Sequence, residues 1–479
     1  MNLISGACER AGTKRAFLFN PPTGLYIRGE DRCQVPVEDL TATSARMPLD
    51  LTYIGADLER AGLEVIIRDY PVEGGDPLRD ALEFRPDIAL ASTTSFSLSR
   101  DLDWLEVLKG HLPGLLVGIK GAEAEAEDRV LLENFPFIDF VLKGEYELTM
   151  GRMVSEPDWR GIPGVSFRRN GRIFISDQEP VIEDLDSLPF PARHLIRNEL
   201  YVRPDTGQPQ TTIQTGRGCP HKCIYCLAPI LSGTKLRLRS PESLVDEMAE
   251  CIELHGIRNF FTRADTFTMN KKWTIDVCKE IIDRGLRINF AFNSRVDTFD
   301  RERAEWIKRA GGWLVAFGVE SGSERSLELM QKGHTKDDAR RAVALAKELG
   351  FATYIFFIVG FPWEDWEDLE ETLAFAMELD GDYLEIHIAV PFPGTTLYEI
   401  VKDRGFLVHQ ELTGLGHGTP AARTEHLSLE EIKAWRDRAL KEYYTRPGYI
   451  WRMIRGAKSP RVVANYIKYG FKRVLGKGG

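Results

Sequence analysis

Six short strand-like runs, alternating with amphipathic helical stretches, fill the chain from Thr211 to about Val390, and no other feature restricts its fold as much. The runs lie near 211–215, 258–265, 288–295, 312–320, 353–360 and 383–390, with helical stretches such as 241–255, 271–284, 301–310, 336–349 and 366–379. Such alternation builds a parallel sheet, because a parallel return needs a long crossover and a helix supplies it. A closed barrel takes eight such repeats. Six predict an open, partial (β/α)6 barrel over residues 205–400. In barrels of this kind the chemistry sits at the carboxyl ends of the strands.

The loop after the first run carries Cys219, Cys223 and Cys226, a C-x₃-C-x₂-C triplet entered by Gly216 and Gly218. Three thiols this close can wrap one metal centre. Iron–sulfur clusters usually take a thiolate on each iron, so three ligands leave one iron open to a substrate. A structural zinc site would need a fourth ligand at short range. His221 lies inside the triplet, and Cys251 and His255 stand at helical spacing on an amphipathic stretch. Seven cysteines spread over 479 residues suit a reducing compartment rather than disulfides. Cys8, Cys33, Cys251 and Cys278 read as free thiols.

Upstream, residues 14–150 show a second alternation, with apolar runs at 15–22, 64–70, 87–94, 115–121 and 137–145 and helical patterns at 50–61 and 100–109. The expectation is a doubly wound, Rossmann-like α/β domain, whose ligands lie beyond the carboxyl ends of the strands. Asn20, Ser92 and Gly144 fall there. Residues 151–204 change character: 164–176 alternates around Asn170-Gly171, a strong hairpin signal, and 188–192 reads as a linker. Residues 401–479 read as a helical C-terminal region with a basic tail.

The length and 43% hydrophobic content allow two sizeable cores. No signal peptide is recognisable, and no apolar run reaches the roughly 18 residues of a membrane span. The expected location is cytoplasmic. From Tyr443 onward there are nine Lys/Arg and no Asp/Glu, against 53 basic and 72 acidic residues before it. An acidic body does not invite nucleic acid. The basic, aromatic tail either packs on the barrel or lies peripherally on an anionic membrane.

The cysteine spacing, with Tyr225 just before the last cysteine, resembles the signature of radical S-adenosylmethionine (SAM) enzymes. The similarity extends from about Phe17 to Tyr398. It implies a [4Fe–4S] cluster on Cys219, Cys223 and Cys226 that chelates SAM and cleaves it to a 5′-deoxyadenosyl radical. It also carries SAM contacts onto Asp265 in the second strand end, Arg295 in the third, Glu320 in the fourth and Gly360 in the fifth. Asp265 and Glu320 read equally as solvated acids or helix caps, and Arg295 as a salt-bridge partner of Asp297. The N-terminal half, with Asn20 before a helix over Leu51–Gly62, resembles the cobalamin-binding domain of the B12-dependent radical SAM class. Two departures stand out. The chain has no His before His111, hence no axial His of the Asp-x-His-x-x-Gly kind, and Gly118-Ile-Lys-Gly-Ala replaces a Gly-Gly-Pro-His turn.

The resemblance implies an enzyme that activates a C–H bond with a [4Fe–4S] cluster, SAM and cobalamin, and works as a methyltransferase. Ring formation, carbon–carbon coupling or rearrangement of a lipid-like substrate stays open beside it, and so does a non-catalytic corrinoid carrier. The implied partners are a small, hydrophobic substrate and a low-potential electron donor such as flavodoxin or ferredoxin.

Overall fold

The computed structural model describes residues 14–26, 28, 45–121, 124, 126–177, 180–203, 205–408 and 418–456. Cys8, Cys33 and the tail beyond Gly456 therefore lie outside the described residues. The chain divides into two compact units, one ending at Leu200 and the other beginning at Tyr201.

The first unit is built on β1 (Arg15–Asn20), β2 (Glu64–Asp69), β3 (Ile88–Ser92), β4 (Leu116–Lys120) and β5 (Phe140–Leu142), parallel in the order β2-β1-β3-β4-β5. The strands read as continuous apolar runs because both faces are covered; Ala16 to Phe19 have no exposed surface. The helices include α1 (Leu49–Arg60) and α2 (Leu98–His111). The order reverses between β1 and β3, which places a crevice at their carboxyl ends.

One expectation is corrected. The segment 151–204 is not a separate hairpin and linker: its strands β6 (Val165–Arg169) and β7 (Arg172–Phe174) extend the sheet antiparallel from β5. Asn170 and Gly171 turn the hairpin with φ of 51° and 73°, the positive pair that an Asn-Gly turn provides. The hairpin buries Phe167 against Trp159, and Trp159 against Phe140, so its apolar face belongs to this core.

The second unit holds the six parallel strands of the partial barrel. They are β8 (Gln210–Gln214), β9 (Asn259–Arg263), β10 (Asn289–Ser294), β11 (Gly312–Glu320), β12 (Ala352–Val359) and β13 (Tyr383–Ile388), paired in sequence order. Helices α3 (Pro241–His255), α4 (Lys271–Asp283), α5 (Arg301–Arg309), α6 (Glu324–Leu329), α7 (Lys336–Glu348) and α8 (Trp366–Leu379) follow the strands. Capping boxes start α7 at Thr335 and α8 at Asp365. The strand faces toward the helices form the main core, while Phe261, Ala291, Leu314, Ala316 and Tyr354 form an apolar cluster on the other face.

The described helices of the C-terminal region pack on the barrel. α9 (Leu429–Thr445) packs on the edge strand β13, and the buried Arg436 donates to the Ile386 carbonyl. An edge strand left bare invites foreign pairing, and this helix covers it. α10 (Pro447–Gly456) continues the packing: Tyr443 and Tyr449 donate to the carbonyls of Gly381 and Asp382, and Arg446 pairs with Asp380. Residues 443–456 thus dock on the barrel. No described helix is long and apolar enough to cross a membrane.

Candidate functional site

The cysteine loop leaves β8 through a position only glycine can hold. Gly218 has φ of +88°, and a Cβ there would sit 2.1 Å from the Lys235 carbonyl oxygen. The loop is fastened by its backbone: the Cys219 N–H donates to Gly233 O at 3.1 Å and Cys226 N–H to Cys223 O at 3.2 Å. Ile224 donates to Met330 O and accepts from Leu397 N–H, which ties the loop to segments that follow β11 and β13. The three cysteines are half-buried and form no disulfide, and the Ala228 N–H donates to Cys226 Sγ at 3.4 Å. Burial pushes the Cys219 thiol up, Asp265 and Cys223 add to the rise, and Arg295 opposes it. Thiolates crowded in this way are stabilised by binding metal cations. Three ligands on one short, held loop fit an iron–sulfur cluster with one open iron.

Around the mouth stand the predicted strand-end residues. Asp265 is half-buried and close enough to Cys219 to disfavour its thiolate. Arg295 is buried and forks onto Asp297 with two bonds of 2.8 Å, while its third donates to Lys332 O at 2.8 Å. The expected Arg295–Asp297 salt bridge is present and joins a buried guanidinium to a carboxylate on an exposed residue. Glu320 lies at the end of β11 with φ of +72°, after a register shift between Gly318 and Glu320. A left-handed glutamate costs on the order of 1–3 kcal/mol and turns a side chain where a regular strand could not. Its carboxylate meets Lys332 Nζ at 2.7 Å, both groups buried.

Lys332, His334 and Glu364 were not singled out by the sequence. Lys332 Nζ also reaches the Tyr225 hydroxyl at 3.5 Å. Burial works against its ammonium, but Glu320 and Cys223 raise its pKa above the ordinary value. His334 Nε2 lies 3.2 Å from Gly318 O, and burial with the Lys332 charge lowers its pKa, which favours the neutral ring. Glu364 has no exposed surface and accepts from the N–H groups of Gly360 at 2.7 Å and Phe361 at 3.0 Å. Its other oxygen accepts from Ser326 Oγ at 3.1 Å, and burial pushes its pKa up to about 8. Gly360 itself turns with φ of +88°. Tyr225 packs edge-on against Phe361. A charged Lys in a polar Lys-Gly-His run resembles any solvated loop, which is why it escaped notice.

In the first unit, Asn20 ends β1 and donates to Asp69 at 3.0 Å, and its Oδ1 is buried with no hydrogen-bond partner. Ser92 ends β3, its hydroxyl 3.4 Å from Asp50 and its carbonyl bonded by Arg28. Gly144 follows β5 with φ of +67°. Thr93, Thr94 and Ser95 are buried beside Ser92. Arg28 pairs with Asp101, and Lys120 with Asp50, both as interior ion pairs. This polar crevice at the β1/β3 reversal fits a phosphate- and amide-rich cofactor. It offers no imidazole: His111 lies at the C-terminal end of α2 and His194 pairs with Glu59 at the end of α1. Both helix ends lead into strand starts, at the opposite edge of the sheet.

A cavity lies at the other end of the barrel, among strand starts. It holds about 570 Å³ between Arg203, Asp205, Lys308, Trp313, Asp382 and Arg452, remote from the cysteines.

Comparison with known proteins agrees with this geometry. Residues 213–376 match the radical SAM superfamily and residues 40–154 the B12 binding domain. An uncharacterized methyltransferase of Pyrococcus horikoshii is 32% identical, over 84% of this chain and 88% of its own. The chain belongs to the B12-binding-domain radical SAM enzymes. A cytidylyl-2-hydroxyethylphosphonate methyltransferase of Streptomyces wedmorensis is 26% identical, over 91% of this chain and 92% of its own. The fold matches a radical SAM methyltransferase from Kitasatospora setae solved with cobalamin and a [4Fe–4S] cluster. Its TM-score is 0.64 at 19% identity, over 83% of this chain and 76% of that one. As a member of this family of cobalamin-dependent methyltransferases, the protein is an enzyme whose cofactors are a [4Fe–4S] cluster, SAM and cobalamin.

Proposed function

We propose that this enzyme methylates an unactivated carbon of a small, apolar substrate. The observation that carries the reading is the pairing, in one chain, of a three-cysteine loop at a barrel mouth with a crevice that lacks an imidazole. When bound, the cluster with SAM would supply the one-electron chemistry needed to activate a C–H bond, and cobalamin would supply the methyl group.

The residues of this chain hold and orient. Cys219, Cys223 and Cys226 are assigned to the cluster. Asp265 and Glu320 offer carboxylates to the SAM ammonium and ribose, and Arg295 lies beside them. The Gly360–Phe361 backbone, clamped by Glu364, forms the turn for the adenine. Asn20, Ser92 and Gly144 line the cobalamin crevice. The face of the sheet carries an apolar cluster with Phe261, Leu314, Tyr354 and Phe356, beside the buried Glu385 and His387; the cluster favours a substrate with a hydrophobic part and helps exclude water from a radical. A low-potential flavodoxin or ferredoxin serves as donor, and the enzyme works in the cytoplasm with peripheral contact to a membrane.

The test is anaerobic reconstitution of full-length protein and of the variants Cys219→Ala, Cys223→Ala and Cys226→Ala. Reductive formation of 5′-deoxyadenosine is expected from the parent and from none of the variants. Retained cleavage in any one of them rejects its assignment as a ligand.

A further inference from the structure

α10 is bound to the barrel by one face only. On that face Tyr449 donates to Asp382 O at 2.8 Å, and Arg452 pairs with Asp380 and donates to Gly381 O at 3.2 Å. The opposite face carries Ile450, Trp451 and Ile454, which are 44%, 62% and 56% exposed. The Arg455 guanidinium lies 4.9 Å above the Trp451 ring. Three large apolar side chains on two successive turns form a contiguous patch, which the surface of a monomer rarely leaves without a partner. The other large apolar groups exposed in the described residues, such as Leu82, Val181 and Leu254, are scattered singly over different elements.

The charge around the patch identifies what covers it. Arg455 lies on the patch itself, while Arg446 and Arg452 are held by Asp380 on the barrel side; in the sequence, residues 457–479 then bring Lys458, Arg461, Lys468, Lys472, Arg473 and Lys477 without one acid. The body of the protein is acidic, so a protein partner drawn to this corner alone would itself have to be anionic and apolar together. A bilayer containing acidic phospholipids has both properties, and tryptophan beside arginine is the composition of membrane–water interfaces. The neighbouring cavity agrees, with three cations against two acids and Arg452 in its wall.

We infer that the outward face of α10, carrying Ile450, Trp451 and Ile454 beside Arg455, docks the enzyme on an anionic phospholipid bilayer. This deepens, and rests on, the membrane contact proposed above. α10 packs on Asp380–Asp382, just before the start of β13, so docking leaves the cysteine-bearing mouth at the far end of the strands clear of lipid.

The test is co-sedimentation of the full chain with phosphatidylcholine vesicles, with and without phosphatidylglycerol, at low and high salt. The comparison is a variant carrying Ile450→Ser, Trp451→Ser and Ile454→Ser. All three positions are exposed, so the variant is expected to keep the parent's circular dichroism and its substrate-free SAM cleavage. Binding should require phosphatidylglycerol, weaken at high salt, and fall about tenfold or more in the variant. Parent protein that ignores the anionic vesicles at low salt overturns the inference, and so does a variant that binds as tightly as the parent. A lipid-free dimer that the substitutions split into monomers assigns the face to a second copy and overturns it as well. In each of these cases intact SAM cleavage leaves the radical reading standing, so the two failures are separable.

Discussion

Glu364 makes the barrel's stability depend on pH in a direction opposite to that of an ordinary carboxylate. It has no exposed surface, and its pKa is pushed up to about 8 by burial, against an ordinary 4.5. Between those values the folded protein keeps the proton and the unfolded chain has released it. The unfolded state then binds fewer protons, so stability falls as pH rises through the window from 4.5 to about 8. At about 1.4 kcal/mol per unit, the full window corresponds to roughly 5 kcal/mol from this one group. Glu364→Gln removes the titration and keeps the shape. The amide oxygen can still accept from Gly360 and Phe361, and the amide NH₂ can donate to Ser326 Oγ, which already accepts from Trp363 Nε1. Denaturant unfolding of parent and variant, followed by tryptophan fluorescence across the window, isolates the term, because every other titrating group cancels in the difference. The variant should gain on the parent steadily with rising pH, by several kcal/mol at the upper end. Two parallel profiles would refute the reasoning, since they would mean that the buried carboxyl ionises as readily folded as unfolded.

Two further outcomes bear on the cofactor sites. Lys332→Met strands the buried Glu320 carboxylate and should cost about 3–5 kcal/mol of stability, most of it recovered by adding Glu320→Gln. SAM affinity, measured by titration calorimetry on the reconstituted enzyme, should stay weak in the double variant, because the Glu320 carboxylate assigned to the ligand is lost; restored affinity would make the pair purely structural. Cobalamin in its cob(II)alamin form should show no nitrogen superhyperfine splitting from a protein imidazole in its electron paramagnetic resonance spectrum. Splitting from a protein nitrogen would contradict a crevice whose unit has its described histidines at the opposite sheet edge.

What the sequence reveals of this protein, and what it conceals, follows from the range of the interactions involved. Strands buried on both faces must be apolar throughout, so β8 to β13 could be read to within one or two residues, as could the capped helices between them. The cysteine triplet is equally legible, since its ligands are neighbours in the chain. The Asn170-Gly171 turn was visible for the same local reason, but its sheet partner, β5, was not: pairing across a sheet leaves no mark in the turn itself. The amphipathic pattern after Tyr443 was ambiguous on physical grounds. A helix with one apolar face looks the same whether that face meets a barrel or a bilayer, and α10 has apolar groups on both sides, Tyr449 inward and Trp451 outward. Lys332 and Glu364 were concealed most completely. A charged residue in a polar loop carries no sign that it will be buried, and only the fold brings Lys332 to the left-handed Glu320 or Glu364 under the turn at Gly360. Such residues are costly to bury without partners. The Lys332–Glu320 pair at the mouth is a set of charges fixed in place before any cofactor arrives, while Glu364 holds the turn as a buried, proton-bearing acid.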